Sequence, residues 1–369
     1  MPTESSLKHN FNLDFHIYTE KIKISEYTAL YLTHTMRALA VSLIGIFLPI
    51  YIYTISNEYM LFSQNEVING VSWVLSYFLL RSIFTWVGIL SLGRLIFSKI
   101  HFQLSMVVSF VILIAEILLW YLAKGNLFLI LLAGVLAGFK VTMYWIPYHI
   151  FFLRKSSRRK KAFGKSTGLR FFLVRIISGI GPAIGGLIIV NFGFNVLFMT
   201  SIIILVLASL PIALVIHEWK HKDHKVIKII KKKLLNPKNI KSNLSFMGSS
   251  AEGILYSVLW PILLFLVLDN FEKIGFLNTF SFLASSVTVL IIGRYIDKRG
   301  TKLIHGFGAF VNAILYLPRM IFSNPYLFYA LDVTDRLIMG TYTLPMMSLV
   351  YKKAGKRGGS DYFIFRELS

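Results

Sequence analysis

The residues of this chain best suited to chemistry are ionisable side chains inside long apolar segments. Basic Arg37 and Lys140 lie in the first half of the chain, and acidic Glu252, Asp332 and Asp335 lie in the second half. A charge inside a membrane-spanning helix costs several kcal/mol unless it faces water or has a partner. The basic groups can hold an anionic group of a solute. A carboxylate in a low-dielectric cavity favours its neutral form, so it can carry a proton.

Each of these charged positions also has a plain structural interpretation. Arg336 lies four residues after Asp332, so the two can simply pair along one helix face. Tyr144 adds aromatic and hydrogen-bonding surface, or it belongs to ordinary packing. Arg81 lies near the middle of its segment, where snorkelling is difficult, so we expect a buried carboxylate or carbonyl partner for it.

The elements that carry these residues are apolar and long. The chain has 369 residues, of which 56% are hydrophobic, and a mean hydropathy of +0.66. A soluble domain of this size could not bury that much apolar surface. A spanning helix needs about 20 apolar residues. Ten segments meet this need, at 28–54, 67–96, 103–122, 126–151, 167–190, 194–216, 246–268, 275–294, 303–322 and 326–350. The pattern predicts an all-α polytopic membrane protein with about ten complete transmembrane helices and the start of an eleventh near Tyr362.

The charge between the segments predicts orientation. The net charge is +22, but the basic residues cluster in alternate loops, so we interpret them as solvated, lipid-facing loops and predict no nucleic-acid partner. The positive-inside rule then places the N-terminus and the basic loops in the cytoplasm, for a protein of the plasma or inner membrane. The chain has no cysteine, which excludes disulfides and thiolate metal sites. We predict no cofactor and no metal.

A short charged hairpin joins the eighth and ninth segments. Its residues are Gly293, Asp297, Lys298, Arg299, Gly300 and Lys302. The pattern resembles the signature loop of the major facilitator superfamily, written loosely G-x-x-x-D-R/K-x-G-R/K-R/K. The first-half counterpart keeps Gly93 and Arg94 but has Phe97 at the acidic position. In the family this acid helps to latch the two bundles on the cytoplasmic side, so the resemblance implies a gating role for the loop that keeps Asp297.

The resemblance implies a specific architecture. It implies a pair of pseudo-symmetric six-helix bundles, alternating access around a central cavity, and a cavity lined by the first, fourth, seventh and tenth helices. The expected domains are a cytoplasmic segment at 1–25, a first bundle at 26–216, a Lys-rich linker at 217–244 and a second bundle at 245–369. The expected cavity residues are Arg37, Lys140, Tyr144, Glu252, Asp332, Asp335 and Arg336.

Internal matches support two homologous halves. Residues 47–50 match 259–262, residues 144–147 match 342–345, and residues 171–175 match 362–366. By this repeat the second bundle would lack most of its fifth helix and all of its sixth. We therefore expect a C-terminally truncated sequence, with a genuine ten-span protein as the alternative.

A glycine- and proline-containing motif and the linker allow two further predictions. Gly181, Pro182, Gly185 and Gly186 resemble the core of a motif found in antiporter-type members. Such glycines allow close helix approach, and the proline is expected to bend the helix. In the linker, the apolar positions from Val226 to Leu234 fall on one helical face. They predict either a short helix on the inner leaflet or an unstructured tether.

These observations predict secondary active transport of a small organic solute by alternating access, with the proton as candidate coupling ion. The expected partners are the solute, protons and membrane lipids, and the expected state is a monomer. An integral-membrane enzyme is the first alternative, although the short loops carry no HExxH motif and no paired His/Asp cluster. A channel or a non-transporting receptor on a helical-bundle fold is the other alternative.

Overall fold

The computed structural model describes residues 26–98, 102–156, 163–214, 229–299, 301–321, 324–356 and 360–368. These residues are helical almost throughout. The α-helices are α1 (Glu26–Gly45), α2 (Phe47–Ser56), α3 (Glu66–Ser98), α4 (Phe102–Leu122), α5 (Phe128–Ser156), α6 (Phe163–Ala213), α7 (Ile240–Ile254), α8 (Trp260–Leu268), α9 (Phe271–Arg299), α10 (Thr301–Ile321), α11 (Pro325–Lys356) and α12 (Ser360–Leu368). The predicted all-α polytopic fold is confirmed.

Seven helical segments of the described chain are long and apolar enough to cross a membrane, compared with ten predicted spans. One of the seven, Val174–Ala213, contains a sharp turn at Gly193 (φ 79°, ψ 176°), so it holds two of the predicted spans. A positive φ of this size favours glycine because it has no Cβ. The predicted ninth and tenth spans form as α10 and α11. They are not among the seven, and α11 is less apolar because it carries Asp332, Asp335 and Arg336.

Prolines break the helices at matching places in the two halves. Pro49 cannot donate a hydrogen bond to the carbonyl of Gly45, and α1 ends at Gly45. Pro261 is likewise unable to bond the carbonyl of Ser257, and a π-helical turn, Leu255–Leu259, separates α7 from α8 there. The breaks therefore coincide with the first of the internal sequence matches.

The helix packing joins the halves through several helix pairs. In the first half, α1 packs along α6, and α3 and α4 pack on α5. In the second half, α10 packs with α11, and α9 packs with α11. Between the halves, the first-half helix α6 packs along α9 and contacts α11, α2 contacts α8, and α5 contacts α12.

The outer surface of this bundle is apolar. Leu79, Val111, Ile203, Phe280 and Ile291 are each more than 60% exposed. Exposed apolar side chains on this scale indicate a hydrocarbon environment, because in water they would form large aggregation-prone patches.

The two ends of the bundle differ in the charge of the sequence segments next to them. The basic end is the end at which α1 and α6 begin and α3, α5 and α9 end, next to the Lys- and Arg-rich segments of the sequence. The far end is the opposite end, which includes the turn at Gly193.

Part of the linker is described, and it contacts protein. Ile229 is buried, and Ile230 and Leu234 pack against the same apolar cluster as Phe363 and Phe365 of α12. Ile230–Leu234 is a π-helical turn. The expected helix on the lipid leaflet is therefore not what these residues form, because their apolar face is covered by α12. Val226 lies outside the described residues.

Candidate functional site

A cavity of about 800 Å³ lies between the two halves. This volume is within the range of small-molecule binding sites, about 300–1,000 Å³. Its described walls come from α1, α3, α5 and α6 of the first half and from α7, α9, α11 and α12 of the second half. The charged residues among its lining are Arg37, Arg81, Arg336, Arg366 and Glu367.

Arg37 forms the centre of the first-half wall. Its side chain is only 8% exposed, and its guanidinium carbon lies 3.9 Å from the centroid of the Tyr144 ring. The Trp145 ring is 5.8 Å away. His34 Nδ1 and the Tyr144 hydroxyl are 2.8 Å apart, which fixes the ring on which Arg37 stacks. Cation–π contacts of this kind orient a guanidinium without neutralising its charge.

Lys140 is engaged inside the first half. Its ammonium donates a hydrogen bond to Glu116 Oε2, and the Tyr77 hydroxyl donates to Glu116 Oε1 at 2.7 Å. Glu116 and Tyr77 are fully buried. The pair is therefore a buried ion pair with a supporting hydroxyl, set back from the cavity surface.

Arg336 forms the centre of the second-half wall. Its Nη2 donates to Asn278 Oδ1 at 3.1 Å, and its guanidinium carbon lies 4.3 Å from the Phe282 ring and 4.5 Å from the Tyr256 ring. Its Nε is 3.9 Å from Asp332 Oδ1. The contact within α11 that the i,i+4 spacing allows is present.

Three carboxylates lie behind this wall, each with a donor from a neighbouring helix. Trp260 Nε1 donates to Asp332 at 2.7 Å, and the Tyr256 hydroxyl donates to Asp335 at 2.6 Å. Glu252 accepts hydrogen bonds from the Tyr342 hydroxyl and from Asn312 Nδ2 at 3.1 Å. These contacts join α7, α10 and α11.

The predicted cavity residues thus divide into two groups. Among the residues that the structure describes, Arg37 and Arg336 line the cavity. The others are not in the lining. Tyr144, Asp332 and Asp335 contact the lining residues Arg37, Arg336 and Tyr256, whereas Lys140 and Glu252 have partners that are themselves outside the lining.

The expectation for Arg81 is wrong. Instead of a buried carboxylate or carbonyl partner, it has the open cavity beside it, and its nearest aromatic contact is Phe78 at 5.7 Å. We find no hydrogen bond or ion pair from Arg81 to any described residue. The rotation of α3 about its axis, which sequence does not specify, directs this side chain towards the cavity.

The basic end of the cavity carries a polar bridge between the halves. His149 Nδ1 lies 2.7 Å from the Tyr351 hydroxyl, and His149 Nε2 lies 3.1 Å from Arg366 Nη1. Arg366 also donates to Glu367 at 3.0 Å. Arg366, Tyr256 and Asn278 were not predicted as site residues, because single polar residues in apolar helices give no periodic signal.

Aromatic rings fill the junction at the far end. Phe271 of α9 lies 6.2 Å from Phe47, 5.5 Å from Phe194 and 5.3 Å from Phe265, measured between ring centroids. Tyr53 is 6.4 Å from Phe265. The contacts of Phe271 with Phe47 and Phe194, and the contact of Tyr53 with Phe265, cross from the first half to the second at that end.

The glycine motif lies where helices approach most closely. A Cβ on Gly181 or Gly185 would overlap α1 at Ser42 or Leu43. A Cβ on Gly186 would meet the carbonyl oxygen of Phe271 at the start of α9. Pro182 lines the cavity, and its carbonyl faces Gly275 of α9. The motif therefore lies at the junction of the halves.

The signature-loop residues are described only in part. Gly93 and Arg94 lie near the end of α3, Gly293 lies near the end of α9, and Lys302 is exposed at the start of α10. Gly300 and the side chains of Arg94, Asp297, Lys298 and Arg299 lie outside the described residues, so the gating expectation stays a prediction.

Among solved structures, the chain is similar to the crystal structure of the human organic anion transporter MFSD10 (TETRAN). The TM-score is 0.64 and the identity 9%, and the match covers 92% of this chain and 89% of that chain. No curated protein sequence matches. The sequence model of the family described as Major Facilitator Superfamily matches residues 30–362, which is most of the chain. The chain therefore belongs to the major facilitator superfamily of membrane transport proteins.

Proposed function

We propose that this protein is a secondary active transporter of a small organic solute, working by alternating access with the proton as coupling ion. The observation that carries the proposal is the central cavity, which takes its walls from both halves and is of a size suited to a metabolite. A site shared between two bundles changes its exposure when one bundle rocks against the other.

The contacts at the two ends of the cavity support this motion. The aromatic rings around Phe271 connect the halves at the far end, and the bridge from His149 to Tyr351 and Arg366 connects them at the basic end. Alternating access requires that one set separates while the other stays closed. The far-end set consists of contacts between aromatic rings, whereas the basic-end set consists of hydrogen bonds that water can replace.

For the coupling site we propose Glu252, with Asp332 and Asp335 as the next candidates. Glu252 accepts hydrogen bonds from Tyr342 and Asn312 of two other helices, so its charge state bears on the packing of α7 against α10 and α11. Protonation weakens a carboxylate's attraction for such donors, which gives a proton a direct effect on helix position.

The experiment uses the full chain in proteoliposomes. Glu252→Gln imitates the protonated carboxylate, so we expect it to abolish accumulation driven by a proton gradient while solute counterflow persists. Glu272→Gln, at the start of α9 and outside the cavity lining, is the matched control and should leave accumulation intact.

Two results would contradict the proposal. Accumulation by the Glu252→Gln protein would transfer the coupling role to Asp332 or Asp335. Flux that grows without saturation and shows no counterflow would indicate a channel. We also propose that the protein is a monomer, that it lies in the plasma or inner membrane, and that its N-terminus is cytoplasmic.

A further inference from the structure

We infer that Arg37 and Arg81 form a subsite for an oxyanion, so that the solute of the central cavity is an organic anion. The inference rests on the proposed function, because it assigns a chemical class to the solute in that cavity.

The first observation is that Arg37 is buried without an ion pair to any residue that the structure describes. Glu116 attracts it electrostatically, but that carboxylate is already paired with Lys140. More than nine-tenths of its side chain is buried, and it lines the cavity. Its guanidinium lies against the rings of Tyr144 and Trp145, and it makes no hydrogen bond or ion pair with a residue that the structure describes. A buried guanidinium with unused donors carries a large desolvation penalty, which a bound anion would offset.

The second observation is the contrast with neighbouring cations. Arg336 lies beside Asp332, and Arg366 is bonded to Glu367. Arg37 and Arg81 are the lining cations for which we see no ion pair in the described part of the chain; the carboxylate that attracts Arg37, Glu116, is neutralised by Lys140. The excess positive charge of the cavity therefore belongs to its first-half wall.

The third observation is that Arg37 and Arg81 act on one another. They come from different helices, α1 and α3, and both line the same cavity, so their like charges repel across it. Two guanidinium groups facing the same space present several N–H donors, a geometry that suits carboxylate or phosphate oxygens. An anion between them would relieve the repulsion as well as the desolvation penalty.

The rest of the lining indicates the body of the ligand. Val41 and Trp145 adjoin Arg37 in the wall, and Phe282 and Met339 face them from the second half. The chemistry therefore favours an anionic head on the first-half side and an apolar or aromatic body towards the second half.

The test measures binding by thermal stabilisation and titration on the purified full chain. The probes are benzoate, phthalate and the neutral isostere benzamide. We expect the two anions to raise the melting temperature and benzamide to leave it unchanged. Arg37→Gln and Arg81→Gln should each weaken phthalate binding by about tenfold to a hundredfold, the size of a lost charged hydrogen bond.

Controls separate charge from folding. Lys124→Gln removes an exposed cation outside the cavity and should bind phthalate like the wild type. Arg37→Lys keeps the charge but loses the planar fork, so its binding should fall between wild type and Arg37→Gln. If Arg37→Gln does not fold, Arg37→Lys and Arg81→Gln still provide the comparison.

Several results would overturn the inference. They are equal binding of benzamide and benzoate, no binding of any probe, or undiminished phthalate binding in Arg37→Gln and Arg81→Gln. Stabilisation by phosphatidylglycerol alone, dependent on Arg37, would assign the oxyanion site to a lipid headgroup instead of a solute. Transport is measured separately. If anions bind to the protein but are not transported across the membrane, the proposed transport function is refuted and the anion site stands. If neutral solutes are transported and no anion binds, the anion site is refuted and the transport function stands.

Discussion

The contact between α6 and α9 allows a stability prediction that the structure specifies closely. A Cβ placed on Gly186 would lie 2.5 Å from the carbonyl oxygen of Phe271, whereas ordinary contact begins at about 3.4 Å. Gly186→Ala therefore forces the two helices apart by about 0.9 Å, or shifts the first turn of α9. Both elements are backbone, so no flexible side chain can yield.

The expected magnitude combines two opposing effects. Overpacking of this kind costs about 1–3 kcal/mol. Alanine regains about 0.5–1 kcal/mol of the helix penalty of glycine. We therefore expect Gly186→Ala to lower the free energy of unfolding by about 1–2 kcal/mol. Gly275 faces the carbonyl of Pro182 across the same contact. In the double variant Gly186→Ala/Gly275→Ala, the second substitution should therefore lower the free energy of unfolding by less than it does alone, because the first has already displaced the helices.

Gly248 is the matched control. It lies within α7, and a Cβ there has no neighbouring atom within 4 Å. Gly248→Ala should raise the stability by about 0.5–1 kcal/mol, so the two substitutions have opposite signs. The measurement is the apparent melting temperature of the detergent-purified protein, followed by tryptophan fluorescence. A Gly186→Ala protein as stable as Gly248→Ala would refute the close approach of the helices.

Two further predictions concern the buried charges and the orientation. Lys140→Met leaves Glu116 buried without its cation and should destabilise the protein by about 3–5 kcal/mol. Adding Glu116→Gln should restore most of that stability. If the single and double variants are equally stable, the pair is dispensable. Because the chain contains no cysteine, an introduced single cysteine reports the topology directly. We expect a membrane-impermeant maleimide to label the Lys124→Cys protein in intact cells and the Ser242→Cys protein only after permeabilisation. The reverse pattern would show that the predicted orientation is inverted.

The sequence by itself determined the class of protein and the family. Hydropathy is a local property, so the apolar segments could be located without knowing their neighbours. The turn between the fifth and sixth segments was visible as the short polar interval around Gly193, where the structure has a positive φ. The hairpin from Gly293 to Lys302 resembled the family's signature loop because a tight connection between two spans fixes spacing as well as residue type.

The tertiary structure decided which charges share the cavity. The sequence identifies Lys140 as an intramembrane charge, but its pairing with Glu116 depends on how α4 and α5 face each other. Arg81 was expected to find a buried partner, and it lines the cavity instead. The reason is physical. Sequence gives the position of a residue along a helix, whereas the rotation of that helix and its neighbours arise from packing across the whole bundle. The anion subsite inferred for Arg37 and Arg81 is a property of that packing.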